Sequence, residues 1–284
     1  MKNAAQRPEM FKEALETMNT IKELINLKGR RALITGAAGG LGKVMADTLA
    51  ELGADLVLVD RPGSDFENLT ETLAHRWGIK IQHRICDLEQ QAQRTELIDW
   101  LKNGEKGLNI LINNAAFVGT SELQGWAVPF EEQTVETWRR ALEVNLTASF
   151  DLCQRLTPLL KVAEGASIIN IASIYGEYGP DWSLYEGTNM SNPAAYGASK
   201  GGLIQLTRWL ATTIAPSVRV NAISPGGIFR NQPEAFVKRY EAKTPLGRMA
   251  TEDDFRGAVA YLASDLSKYV TGQNHAVDGG WGVW

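Results

Sequence analysis

Nowhere in the 284 residues do about 18 uncharged apolar residues follow one another, so the chain offers no membrane-spanning helix. The opening MKNAAQRPEMFKEALETM is charged throughout and lacks the apolar centre of a signal peptide, which predicts a cytoplasmic protein. Cysteine is scarce as well. Cys86 and Cys153 share no paired spacing and have no histidine near them, which argues against a disulfide or zinc site and for two core thiols. His75, His83 and His275 lie far apart in the chain, so a metal-dependent hydrolase is disfavoured and no metal is expected. An excess of basic charge is missing too: 29 Lys and Arg stand against 33 Asp and Glu, a net charge of −4. Nucleic acid and anionic membrane are therefore poor partners, and a small-molecule substrate is the expected one.

Hydrophobic residues make up 44% of the chain, enough to bury a large core in one domain. An amphipathic leader, residues 9 to 27, places Phe11, Leu15, Met18, Ile21, Leu24 and Ile25 near helical spacing. We read residues 1–27 as an N-terminal helical extension packed on the core or on another subunit, and 28–284 as the main domain. Short apolar runs then alternate with longer amphipathic stretches. The runs predict strands at Arg31–Thr35, Asp55–Asp60, Ile79–Cys86, Asn109–Asn113, Ser167–Ala172, Val218–Ile223 and Asn274–Val277. Helices are predicted at Leu41–Leu52, Gln90–Asn103, Thr134–Leu160, Ala198–Ile214 and Glu252–Ala263. Runs apolar on both faces suit strands covered by helices on two sides, so the fold reads as a doubly wound α/β domain with a seven-stranded parallel sheet.

The first predicted strand runs into a helix through Gly36, Gly40, Leu41 and Gly42. Phosphate oxygens approach backbone closely only where no Cβ intervenes, and a helix start offers unpaired N–H groups and a positive dipole end. The turn is thus a candidate pyrophosphate cradle, its alternative being a glycine turn that only lets helix and sheet pack. Asp60, 18 residues beyond Gly42, ends the second strand where a carboxylate accepts from adenosine ribose hydroxyls. That favours NAD over NADP, although Arg61 beside it offers a partner for a 2′-phosphate. Asp87 after the third strand, and Asn113-Asn114-Ala115-Ala116 at the end of the fourth, sit where strand ends face a ligand crevice.

Of seven tyrosines, only Tyr196 is followed by lysine at the fourth position, in Tyr196-Gly-Ala-Ser-Lys200. Residues four apart share a helix face, so an ammonium can approach the phenol and favour its ionised form. Ser173 ends the fifth strand, placing a hydroxyl where it can donate to a substrate oxygen that gains charge. Asn145 is a polar residue within the apolar stretch Ala141-Leu-Glu-Val-Asn-Leu. Taken singly, each has a plainer reading as a surface pair, a cap or a backbone-bonded amide.

In this order, with Asp87-Leu88 and Val218-Arg-Val-Asn-Ala-Ile-Ser-Pro225-Gly226, the motifs resemble the short-chain dehydrogenase/reductase family over roughly residues 28 to 284. The resemblance implies a Rossmann-type fold and an NAD(P)-dependent oxidoreductase moving hydride between the nicotinamide and a secondary alcohol or ketone. It implies that Tyr196 is the acid/base, that Ser173 positions the substrate oxygen, and that Lys200 holds the nicotinamide ribose while lowering the tyrosine pKa. Asn145 would hold a water linking Lys200 to solvent, Ile228 would meet the carboxamide through its backbone, and the assembly would be a homotetramer or homodimer. The tail Gly279-Gly-Trp-Gly-Val-Trp284 suggests a contact surface, or else an edge folded onto the core.

Two departures bear on substrate. Ser173 and Tyr196 are separated by 22 residues, more than the family's usual spacing. In that insertion Trp182, Tyr185, Glu186 and Asn189 suit a polar, sugar-like substrate, or else form a surface loop or subunit contact. Arg230 stands where relatives carry threonine near the carboxamide, and suits an anionic substrate group or a cofactor phosphate. Asn231–Leu246 then reads as a mobile substrate lid. The pattern also resembles members linked to bacterial surface or flagellar sugar biosynthesis. Competing readings are a sugar epimerase or dehydratase, against which the glycine spacing speaks, and a cofactor-binding regulatory or scaffold protein, against which the intact Ser173, Tyr196, Lys200 and Asn145 speak.

Overall fold

The computed structural model describes residues 18–104, 107–119 and 121–284. Seven strands, β1 (Arg31–Thr35), β2 (Asp55–Asp60), β3 (Ile81–Ile85), β4 (Ile110–Asn113), β5 (Ser167–Ile171), β6 (Arg219–Pro225) and β7 (Asn274–Val277), form one sheet. Their order is β3-β2-β1-β4-β5-β6-β7 and every pairing is parallel. In β1 the side chains part as a two-residue period demands. Ala32 and Ile34 enter a core with the helices α1 (Ile21–Ile25), α2 (Gly40–Glu51), α3 (Glu67–Trp77) and α9 (Arg256–Ala263) on or near that face. Leu33 enters the opposite core, built with α4 (Gln91–Lys102), α6 (Ala148–Lys161) and α7 (Ala194–Thr213). Both faces are thus dry, which is why the central strands read as unbroken apolar runs. Cys86 and Cys153 are buried, free thiols, pushed up to about 11 and about 12 by that burial.

Three expectations change. Of the leader, the part before residue 18 lies outside the described residues; the described helix is only α1, capped by Thr20 and Glu23, and Asn26 is already extended. The expected single helix Thr134–Leu160 is interrupted: α5 (Val135–Leu142) passes through a wider π turn at Glu143–Thr147 before α6 begins. Buried Arg94 holds that turn, pairing with Glu143 at 2.7 Å and Asp151 at 2.9 Å. Lastly, the segment expected as a mobile lid contains a packed helix, α8 (Glu234–Lys243), whose Phe236 and Tyr240 are buried.

Candidate active site

Chain order reverses between β1 and β4, so their carboxyl ends diverge and open a crevice, the usual place for a ligand in a doubly wound sheet. A cleft of about 1280 Å³ lies there. Gly36, at φ +64°, turns the chain out of β1, and a Cβ on it would stand 2.9 Å from Ala115 Cα. Asn114 clamps this turn by donating from Nδ2 to the carbonyls of Thr35 and Gly36, both at 3.0 Å. Thr35 Oγ1 accepts from the amides of Asn114 and Ala115, and Asp60 accepts from the Ala38 amide at 2.9 Å. At Gly42 a Cβ would come within 2.1 Å of Gly36 O, so only glycine lets the helix start fold over the turn. The helix α2 has Gly39 as N-cap, no side chain bonded to its first amides and no acidic residue in its first turn. Those exposed amides, beside a backbone free of Cβ at Gly40, fit a pyrophosphate.

On the other side of the crevice, Ser173 caps the short turn Ile174–Gly176 after β5, accepting from Tyr175 N at 3.2 Å. A Cβ on Gly176 would stand 2.8 Å from the Lys200 backbone, and one on Gly197 would stand 3.1 Å from Tyr175 O. These small residues let α7 settle on the turn, which brings the Tyr196 phenol and the Ser173 hydroxyl into the same cleft. Burial pushes Tyr196 up, while the Ser173 hydroxyl and the charge of Arg230 pull it back. Lys200 lies inside the wall, its Nζ donating to Ile171 O at 2.6 Å and standing 5.8 Å from the Tyr196 ring centre. Burial pulls this ammonium down to about 8. Asn145 sits in the π turn, where an extra backbone residue re-aims a side chain. Its amide accepts from Phe117 N at 2.7 Å and donates to Phe117 O and Ser199 Oγ, both at 3.1 Å, joining the π turn to α7 and the loop after β4.

A phosphate-fitting glycine turn thus shares one cleft with a Ser-Tyr-Lys set. Residues 36–282 match the family described as enoyl-(acyl carrier protein) reductase. The chain belongs to the short-chain dehydrogenases/reductases. A tropinone reductase homologue of Arabidopsis thaliana is 34% identical over 269 residues, 91% of this chain and 94% of that protein. A short-chain dehydrogenase of Leptospira borgpetersenii with bound NAD+ is 33% identical, with a TM-score of 0.78 over 93% of this chain and 96% of the other. A gluconate 5-dehydrogenase of Burkholderia cenocepacia in complex with NADP and tartrate is 29% identical, with a TM-score of 0.79 over 93% and 100%. The chain is therefore an NAD(P)-dependent oxidoreductase acting on CH–OH or keto groups.

In this dehydrogenase the residues given catalytic or cofactor-binding roles from the sequence line one cleft, Asn145 excepted: Gly36, Gly40, Leu41, Gly42, Asp60, Asp87, Leu88, Asn114, Ala115, Ser173, Tyr196, Lys200, Pro225, Gly226 and Ile228. Asp87 accepts from the Glu89 amide at 3.0 Å, and the Ile228 carbonyl accepts from Gln232 at 2.7 Å. Of the insertion residues, Tyr185 and Asn189 line the cleft, Trp182 lines a neighbouring cavity and Glu186 lines neither. Sequence reasoning passed over Tyr175, Asn192, Phe236 and Tyr240, which also line it. Tyr175 and Tyr185 share a hydroxyl bond of 2.8 Å, and Tyr240 OH accepts from Gly227 N at 2.5 Å. The spacing of Phe236 and Tyr240, four apart in Glu-Ala-Phe-Val-Lys-Arg-Tyr, was the signal available. No His, Cys, Asp or Glu cluster among the described residues is placed to hold a metal, and no helix among them is long and apolar enough to cross a membrane.

Proposed function

We propose that this enzyme moves a hydride between a nicotinamide cofactor and a secondary alcohol or its ketone, with Tyr196 as acid/base. The observation that carries the reading is that Ser173, Tyr196 and buried Lys200, one helical turn after the tyrosine, line the same cleft as the glycine turn. When bound, the cofactor supplies or accepts the hydride. Gly36, Gly40, Leu41 and Gly42 hold its pyrophosphate, Asp60 its adenosine ribose, and Asp87 and Leu88 flank the adenine. Asn114 and Ala115 shape the floor, Lys200 holds the nicotinamide ribose, and Pro225, Gly226 and Ile228 lie by the carboxamide. Ser173 donates to the substrate oxygen, and Tyr196 gives or takes the proton on that oxygen. Asn145 keeps the path from Lys200 to solvent. Since burial holds the phenol protonated near neutrality, reduction is served at neutral pH, and oxidation should speed up as pH rises.

NAD is the preferred cofactor in this reading, since Asp60 would repel a 2′-phosphate. The substrate is carbohydrate-derived: the cleft pairs aromatic Tyr175, Tyr185, Phe236 and Tyr240 with neutral Asn189 and Asn192, a lining that suits polyhydroxylated molecules. Residues 1–27 are an extension of the catalytic domain 28–284, in a cytoplasmic homotetramer or homodimer. Exposed Trp138, Phe150 and Trp209 on α5, α6 and α7 support such contacts.

The test is nicotinamide absorbance with a panel of polyols, sugars, sugar acids, sugar phosphates and nucleotide sugars, using NAD and NADP in parallel, for wild type and Tyr196→Phe. Turnover should fall on the order of 10²–10⁴-fold in the variant with cofactor affinity kept. Equal turnover in both proteins would end the assignment of Tyr196.

A further inference from the structure

Arg230 stands beside the cradle, and its surroundings narrow what it meets. It lines the same cleft as the glycine turn and Tyr196. Its backbone is fixed from two sides: its amide donates to Gln232 Oε1 at 2.7 Å, and Asn231 after it takes the left-handed conformation at φ 58°. The side chain is half-exposed, and Nε donates to Glu252 Oε1 at 3.1 Å. A Cβ on Gly40 would stand 3.1 Å from Arg230 Nη2 and 2.8 Å from Glu252 Oε1. The ion pair therefore lies directly over the first residue of α2, where the bare amides of the cradle begin. Glu252 cannot easily withdraw. Its turn is held by Arg248, whose guanidinium grips Asp254 with two bonds of 2.7 Å, and by the Thr251–Asp254 capping pair.

A carboxylate at this spot opposes any phosphate that enters the cradle, and Arg230 neutralises it. Nη2 lies over Gly40 at the start of the cradle, while Nε donates to Glu252. Resting on the cofactor reading above, we propose that Arg230 is a clamp on the dinucleotide pyrophosphate. Cofactor binding shifts its guanidinium from Glu252 onto a phosphate oxygen, and Glu252 is the competitor that sets how much affinity the clamp adds. The long planar fork reaches from the loop after β6 to the start of α2, a span that threonine at this position would not bridge. The same exchange ties the segment leading into α8 to the bound cofactor, so that cofactor binding and the substrate wall are coupled.

Calorimetric titration of the full chain with NADH, ADP-ribose and adenosine tests this without any substrate. Arg230→Gln should weaken NADH and ADP-ribose about tenfold and leave adenosine unchanged, since adenosine carries no phosphate. Arg230→Lys should regain part of the loss. Glu252→Gln should tighten NADH severalfold in the wild-type background, and beside Arg230→Gln, where the carboxylate would face the phosphate unneutralised, it should recover part of the lost affinity. Added salt should weaken NADH binding less steeply in Arg230→Gln than in wild type. Unchanged NADH and ADP-ribose affinities in Arg230→Gln would overturn the clamp, as would an equal loss for adenosine, which marks a general disturbance of the fold. A wild type that bound neither NADH nor NADPH would instead sink the cofactor reading itself, so the two failures are distinguishable.

Discussion

The two walls of the cleft are built by different means. The cofactor wall, from β1 to the loop after β4, is made of backbone and small residues: in each bond among Thr35, Gly36 and Asn114 a short side chain meets a main-chain atom, and Gly42 packs on the Gly36 carbonyl. The substrate wall joins three distant segments by side chains. Arg239 on α8 donates to the carbonyls of Glu186 and Leu184 in the insertion, and Lys243 pairs with Asp181. Tyr178 OH donates to Gly282 O at 3.0 Å, and Trp284 Nε1 donates to Lys243 O at 3.0 Å. Between them the rings of Tyr185, Phe236, Tyr240 and Trp281 pack in succession with centroids 5.4 to 6.0 Å apart. A wall of backbone tolerates no added atom, whereas a wall of side chains changes by substitution without unfolding. One fold can therefore keep its cofactor while its substrate varies.

The largest effect expected from breaking this contrast is on the cofactor side. In Gly42→Ala the new Cβ faces Gly36 O at 2.1 Å and Ala37 Cα at 2.7 Å, both fixed backbone. The turn must open, at about 3 kcal/mol of stability or more, and NADH affinity should fall at least roughly a hundredfold. Denaturant unfolding and NADH titration measure both. A variant that bound cofactor normally would show that the turn is softer than its packing implies.

Lys200 sharpens the comparison from inside the wall. Its ordinary value of 10.5 falls to about 8 on burial, which corresponds to about 3 kcal/mol against the folded, charged state. Between pH 8 and 10.5 the unfolded chain holds this proton and the folded one does not, so the penalty shrinks as pH rises and is full below pH 8. Lys200→Met removes the penalty but leaves Ile171 O without its donor, which costs about 1 kcal/mol. We expect an inactive protein about 2 kcal/mol more stable at pH 7, with the gain fading above pH 8 and turning into a loss of about 1 kcal/mol near pH 10.5, measured by denaturant unfolding across pH. A pH-independent gain would point to packing instead of charge.

What the sequence made legible follows the same division. The central strands were readable because both faces are dry, and the cradle because its requirement for missing Cβ atoms is written as glycine. Asn145 was noticed as polar in an apolar stretch, yet the π turn that aims it was not, since one extra residue per turn leaves the periodicity of Thr134–Leu160 almost unchanged. The helices α3 and α8 were missed because each buries little: Leu73 alone on one, Phe236 and Tyr240 on the other. Tyr175 and Tyr185 are joined through a loop, and no spacing rule pairs a residue beside the strand with one in an insertion.

The smallest expected effect tests whether the substrate wall is one unit. Arg239 is the bolt between α8 and the insertion, with Nη1 serving two carbonyls at once, at 2.5 Å to Glu186 and 3.4 Å to Leu184. Removing a charged donor of this kind forfeits about 1.5 kcal/mol locally. In Arg239→Ala the amides of Trp182–Tyr185 and of α8 should therefore exchange hydrogen roughly tenfold faster, together, while those of β1 and α2 keep their rates. NADH affinity should stay within about twofold of wild type, because no bond of the cofactor wall passes through Arg239. If α8 loosened and the insertion did not, the wall would be two independent pieces. Substrate selection would then rest on Tyr175, Tyr185, Asn189 and Asn192, with α8 free to move as a separate cover.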